Sequence, residues 1–217
     1  YAILSCGNSG PARRPNRPGF STVCGDCKGC FSCCQGMGAS ILLDPYDVYL
    51  LKKNLHKTLE ELLEREVELN ISEGMILPNL KMQGKEEICG FLDGEKRCGI
   101  HAFRPGLCRL FPLGRQYQDN RLFYFILKDA CAKEKRSKVK VKKWLGVPEI
   151  KDYQEFLILW HDFRRDFAQA GDGAGEGMVK SRNLFVLNQM YGKDFETPEF
   201  FGEFAQRVAE VRKGLGL

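Results

Sequence analysis

Five of the ten cysteines in this 217-residue chain fall inside one short stretch, Cys24-Gly-Asp-Cys27-Lys-Gly-Cys30-Phe-Ser-Cys33-Cys34. Neighbours that close do not easily pair among themselves at unstrained disulfide geometry. A chain of this length can also bury an apolar core without covalent staples. Two-residue spacers do something else: they let successive sulfurs converge on one centre. Thiolates in that arrangement select zinc, copper(I) or iron–sulfur clusters over hard cations. A second set, Cys89, Cys98, Cys108 and Cys131, lies further on, while residues 35–88 and 132–217 hold no cysteine. The metal-binding region therefore spans about 24–131.

Two registers fit the first stretch. Cys24, Cys27, Cys30 and Cys34 follow the Cys-x2-Cys-x2-Cys-x3-Cys run that binds four-iron clusters, although Gln35 stands where a proline is expected. Cys27, Cys30, Cys33 and Cys34 form a Cys-x2-Cys-x2-Cys-Cys run with Cys24 to spare. Adjacent side chains in extended backbone point to opposite sides, so Cys33 and Cys34 are expected to face different centres, or one of them to be spare. Lys28, Arg104 and Arg109 stand beside these cysteines, placed to screen thiolate charge and to donate hydrogen bonds to a cluster's sulfurs. Structural ion pairing is the competing reading for the two arginines.

Composition excludes several classes. With 43% hydrophobic and 28% charged residues the chain is neither collagenous nor disordered. The apolar run Phe156–Trp160 falls far short of the roughly 20 residues that span a bilayer, so no membrane span is expected. A net charge of +5 permits an acidic partner or nucleic acid without demanding either. Ile3-Leu4-Ser5-Cys6-Gly7 has the outline of a lipoprotein cleavage site, but the basic and apolar segments that should precede it are not in view. A peripheral thiol at Cys6 and a cytoplasmic location are the favoured reading.

Local signals place the elements. Residues 7–22, rich in Gly, Pro and Arg, read as an extended arm. Asp44-Pro45-Tyr46-Asp47 combines a cap, a first-turn proline and a negative charge, starting a helix through about Leu55. Thr58 with Glu61 makes a capping box ahead of Leu59, Leu62, Leu63, Val67 and Leu69, predicting a second helix over about 58–69. Residues 71–127 read as hairpins and loops, with Asp93-Gly94 the best turn. Arg121–Leu127 reads as a strand. Residues 133–143 carry seven basic side chains, with Val139 and Val141 alternating against lysines. An edge strand guarded by lysines is favoured there over a nucleic-acid patch. Ile150, Tyr153, Phe156, Leu157, Trp160, Phe163 and Phe167 mark a helix from Pro148 to about Ala170 whose aromatic stripe is core. The glycine-rich 171–177 segment misses phosphate-loop spacing and reads as a linker. Thr197-Pro198-Glu199 opens a last helix, with Gly214 as its stop. The fold class is α+β, in three parts: an N-terminal arm at 1–23, a cysteine-cluster metal-binding domain at 24–145 and a helical extension at 146–217.

The run Cys27-x2-Cys30-x2-Cys33-Cys34, the segment Ile41-Leu-Leu-Asp-Pro-Tyr-Asp47, then Cys89-Gly-Phe-Leu, and Cys98-Gly-Ile-His101-Ala-Phe-Arg104-Pro-Gly-Leu-Cys108-Arg109-Leu-Phe-Pro112 together resemble the bacterial YkgJ-type cysteine-cluster family. The resemblance covers about residues 24–131. It implies a domain chelating zinc, or iron as a cluster, through Cys27, Cys30, Cys33, Cys34, Cys89, Cys98, Cys108 and Cys131. Cys24 is extra, and His101 stands where the family more often has tyrosine. With so many thiols at hand, His101 is read as a non-ligand. Flagellin lysine methylases carry a similar cluster domain, which makes methyl transfer the one specific reaction the resemblance implies, but no glycine-rich cofactor loop is present, so it is not favoured.

Together these readings favour an iron–sulfur protein, of the four-iron type, that is redox-active or supports an oxidoreductase-like enzyme. The alternative is a zinc-binding structural or chelating module that binds a protein partner. A redox or protein partner is expected in preference to nucleic acid.

Overall fold

The computed structural model describes residues 31–127 and 139–217 in full and the backbone of residues 23, 24, 136 and 137. Strand β1, Val23–Cys24, pairs antiparallel with β8, Arg136–Ser137. The arm expected at 1–23 lies outside the described residues but for its last one.

Asp44 accepts the N–H of Asp47 at 2.9 Å, and Asp47 accepts that of Asp44 at 3.1 Å. This reciprocal box satisfies two donors left open at a helix start. Helix α1, Pro45–Leu55, follows as the sequence predicts and ends on His56 in the left-handed conformation. The Thr58–Glu61 box likewise starts α2, but that helix spans Leu59–Arg65 and does not reach residue 69. Val67 continues the helical stripe of leucines, yet it also begins an alternation that serves a strand. Tertiary pairing decides between them: β2, Val67–Ser72, pairs in register with β3, Met75–Leu80. Glu73 and Gly74 both take positive φ at the tip, as a tight two-residue hairpin turn requires.

Strands β4, Met82–Gln83, and β5, Ile88–Cys89, form a short ribbon. Helix α3, Gly106–Leu110, leads into the hairpin of β6, Leu113–Gln118, and β7, Arg121–Ile126, joined by Asp119-Asn120 with positive φ at both positions. All four ribbons are two-stranded and antiparallel. Among the described residues, the lysine-rich stretch holds the expected strand only at Arg136–Ser137. Val141 opens helix α4, Val141–Leu145, rather than continuing a strand. Its C-terminal Leu145 is buried, and Trp144 Nε1 donates to the Leu110 carbonyl of α3 at 3.4 Å.

Helix α5, Ile150–Gly171, presents Tyr153, Phe156, Leu157, Trp160, Phe163 and Phe167 to the core. The segment read as a linker is a short turn before a helix the sequence signals did not reveal, α6, Glu176–Leu187, which runs on through a π turn at Asn188–Gly192. Its buried face is sparse, Asn183 and Val186, which hides its period. Asn183 is there for bonding: it accepts the Ile76 N–H at 2.7 Å and donates to the Gly74 carbonyl at 3.1 Å, fixing the β2–β3 hairpin. The last helix, α7, Phe200–Leu215, passes Gly214 and stops at Gly216 in the left-handed conformation. Helices α5 and α7 meet through Phe156, Trp160, Phe200 and Phe204. Tyr191 of the π turn donates its hydroxyl to the Leu43 carbonyl at 3.0 Å, tying the C-terminal helices to the segment ahead of α1. The result is an α+β fold with one continuous apolar core, and Cys89 lies in that core.

Candidate metal centre

The cysteines described with side chains come from four stretches that local bonding draws together. Ser32–Cys34 is a 3-10 turn, closed by the Cys34 N–H on the Phe31 carbonyl at 2.8 Å. Gln35 then bridges Ile88, and the Gly36 N–H donates to the Glu87 carbonyl at 2.9 Å, laying the turn beside β5 and Cys89. From Cys89 the chain loops through Asp93, whose Oδ1 accepts the N–H groups of Glu95 and Arg97 at 2.9 and 2.8 Å. That turn brings Leu92 and Cys98 face to face. A second 3-10 turn, His101–Phe103, and the extended Arg104–Pro105 lead to α3, which carries Cys108.

Cys33, Cys34, Cys89, Cys98 and Cys108 are all free thiols. The sulfurs of Cys33 and Cys34 stand 3.9 Å apart. Extended backbone would put them on opposite sides, facing different centres or with one spare; here they share a side. The physical reason is the 3-10 turn, which lacks the alternation of extended backbone. The remaining thiols lie within electrostatic reach of one another. The shared hydrogen bond with Cys34 drops the Cys33 thiol to about 6, helped by Arg104, although burial works against it. The same bond, then burial and the fields of Cys33, Cys89 and Cys108, pushes Cys34 up. Burial first, then the fields of Cys98 and Cys33, raises Cys89. Burial also raises Cys98 and Cys108, and each feels Cys33. Thiols that feel one another in this way cannot all ionise unless a cation joins them. Among the described residues, no group of three or more Cys, His, Asp or Glu side chains stands at metal-binding spacing. Cys27, Cys30, Cys131 and Lys28 lie outside the described residues, as does the side chain of Cys24.

The neighbouring cations divide by role. Arg104 Nη1 lies 2.6 Å from His101 Nε2. A guanidinium only donates, so that imidazole nitrogen accepts. Burial and the charges of Arg104 and Arg109 push His101 below its ordinary value, keeping it neutral. Arg109 bonds carbonyls instead, Nε to Arg104 at 2.7 Å and Nη2 to Ala102 at 2.9 Å, so it knits together the segment between Cys98 and Cys108.

One contact escapes any local reading of the sequence. Asp47, 3% exposed, reaches past its capping box and accepts the Gly106 N–H at 2.7 Å. The segments Ile41–Asp47 and Cys98–Pro112 therefore meet at the start of α3. Burial, then the nearby Asp44 carboxylate, pushes Asp47 well above the ordinary carboxylate range.

Five free thiols on four segments of an α+β scaffold have the soft donor chemistry of a metal-chelating domain. The CxxCxxCC family, described as "Putative zinc- or iron-chelating domain", matches residues 26–139, just over half of the chain, and the chain belongs to that family. No curated protein and no solved structure matches it. Among the described residues, no helix is long and apolar enough to cross a membrane.

Proposed function

We propose that this chain is a zinc-chelating module in which Cys33 and Cys34 bind the same ion, with further sulfurs supplied from Cys89, Cys98 and Cys108. The observation that carries the reading is the 3.9 Å separation of the two vicinal sulfurs. Two thiolates on one tetrahedral zinc, at Zn–S distances of about 2.3 Å, stand about 3.8 Å apart. In a four-iron cluster each iron takes one cysteine, and the sulfurs sit much further from one another. Bound there, the ion would contribute folding energy and relieve the mutual repulsion of the thiolates. Cys27, Cys30 and Cys131, with Cys24 as an extra candidate, complete the donor set in this reading, and Lys28 and Arg104 offset its negative charge.

Iron remains the second reading, favoured by the register of Cys24, Cys27, Cys30 and Cys34. It would make the domain redox-active, with an electron-transfer partner. Metal and sulfide analysis of anaerobically purified protein separates the two. Zinc without acid-labile sulfide, and a spectrum insensitive to dithionite, is expected. Brown protein that contains sulfide and bleaches on reduction would overturn the zinc reading.

A further inference from the structure

We infer that Asp47 is a positioning residue for the thiol centre: from α1 it holds Gly106, the first residue of the helix that carries Cys108, close against the Tyr153 hydroxyl of α5. The inference rests on the metal-binding reading above, and it brings the C-terminal helices, which lie beyond the matched residues 26–139, into the site.

Two capping boxes in the chain make the case. The Thr58–Glu61 box starts α2 with exposed side chains. The Asp44–Asp47 box does the same local work, yet Asp47 is buried. Burying a carboxylate is costly unless its oxygens are bonded, and capping a helix does not require it. The second use of Asp47 accounts for the burial. Its Oδ2 accepts from Asp44 while its Oδ1 accepts from Gly106, so the carboxylate lies between the starts of α1 and α3.

Tyr153 closes the other side. A Cβ placed on Gly106 would lie 2.6 Å from the Tyr153 hydroxyl oxygen, but only in ordinary contact with Asp47 at 3.6 Å and Asp44 at 3.7 Å. Only a residue without a side chain fits between the hydroxyl and the carboxylate. Arg109 stiffens the approach to α3 from within, and Trp144 bonds its far end at Leu110. Cys108 is thus mounted on a helix fixed at both ends. Groups that orient metal ligands in this way set affinity.

Zinc affinity of the full chain, measured by competition with a chromophoric chelator, tests this. Asp47→Leu should weaken zinc about 10–100-fold. Asp47→Asn keeps one oxygen for the Gly106 N–H but turns its amide NH2 toward the Asp44 N–H, so it should bind zinc more weakly than wild type and more tightly than Asp47→Leu. Gly106→Ala should weaken zinc, and adding Tyr153→Phe to it should restore binding by removing the atom it strikes. These two arms keep the test decisive should Asp47→Leu fail to fold. Asn183→Leu, which frees the β2–β3 hairpin, serves as a control of similar thermal destabilisation and should leave zinc affinity unchanged. If it weakens zinc as much as Asp47→Leu does, the role is merely structural and the inference is overturned. Wild-type affinity in Asp47→Leu, or no restoration by Tyr153→Phe, overturns it equally. A wild-type chain that takes up no zinc overturns the metal reading itself, and this inference with it.

Discussion

The sulfurs of Cys33 and Cys34 lie 3.9 Å apart, on one side of a single 3-10 turn. Ligands to one ion act as a unit, so their losses do not add. Cys33→Ser and Cys34→Ser should each lower zinc affinity sharply, and the double variant should be little worse than the stronger single. Additive losses, measured by chelator competition, would place the two sulfurs on separate ions.

In metal-free protein the same pair should make reactivity uneven. Cys33 falls to about 6 while Cys34, Cys89, Cys98 and Cys108 are raised. The thiolate is the nucleophile, so at pH 7 iodoacetamide should label Cys33 ahead of the other four, with a rate that halves near pH 6. Peptide mapping after brief labelling reads this directly. Equal labelling of all five would contradict it.

A different charge governs acid stability. Burial pushes Glu203 up, but the N–H and hydroxyl of Thr197 and the guanidinium of Arg207 outweigh it and hold the carboxyl below its ordinary value. A depressed folded-state value means stability that is present above the unfolded pKa and is lost as pH falls through the folded one. Glu203→Gln should therefore cost about 1–2 kcal/mol at pH 7, with the gap to wild type closing below about pH 4. Urea unfolding at pH 7 and pH 3 measures it, and a gap that does not change with pH would point to shape rather than charge.

Packing sets the largest single cost. Phe204 is fully buried, with its ring 4.6 Å from that of Phe156 and 6.1 Å from that of Trp160. Phe204→Ala should destabilise by about 3–5 kcal/mol. Thermal unfolding checks this, and a loss under about 1 kcal/mol would mean that the α5–α7 seam repacks freely.

How much of this was legible in the sequence follows from how local each determinant is. The start of α1 depends on residues 44–47 alone, and the aromatic face of α5 on one period, so both were readable. The end of α2 was not, because Val67 satisfies a helical stripe and a strand alternation alike and only β3 chooses between them. Helix α6 escaped because a buried Asn183 interrupts its apolar face for the sake of hydrogen bonds to a distant hairpin. For the site, the cysteines announced themselves by spacing. The orientation of Cys34 beside Cys33 required the turn, and the Asp47–Gly106 bond joins residues far apart in the chain.

A shared metal centre requires sulfurs from distant segments. Its most direct test is the zinc and iron content of anaerobically purified wild type beside Cys33→Ser and Cys108→Ser, read together with thermal stability. Metal in the wild type, with metal content and melting temperature reduced in both variants, is the expected result. Full metal content and unchanged melting in either variant would show that its sulfur is no ligand and would contradict the shared centre.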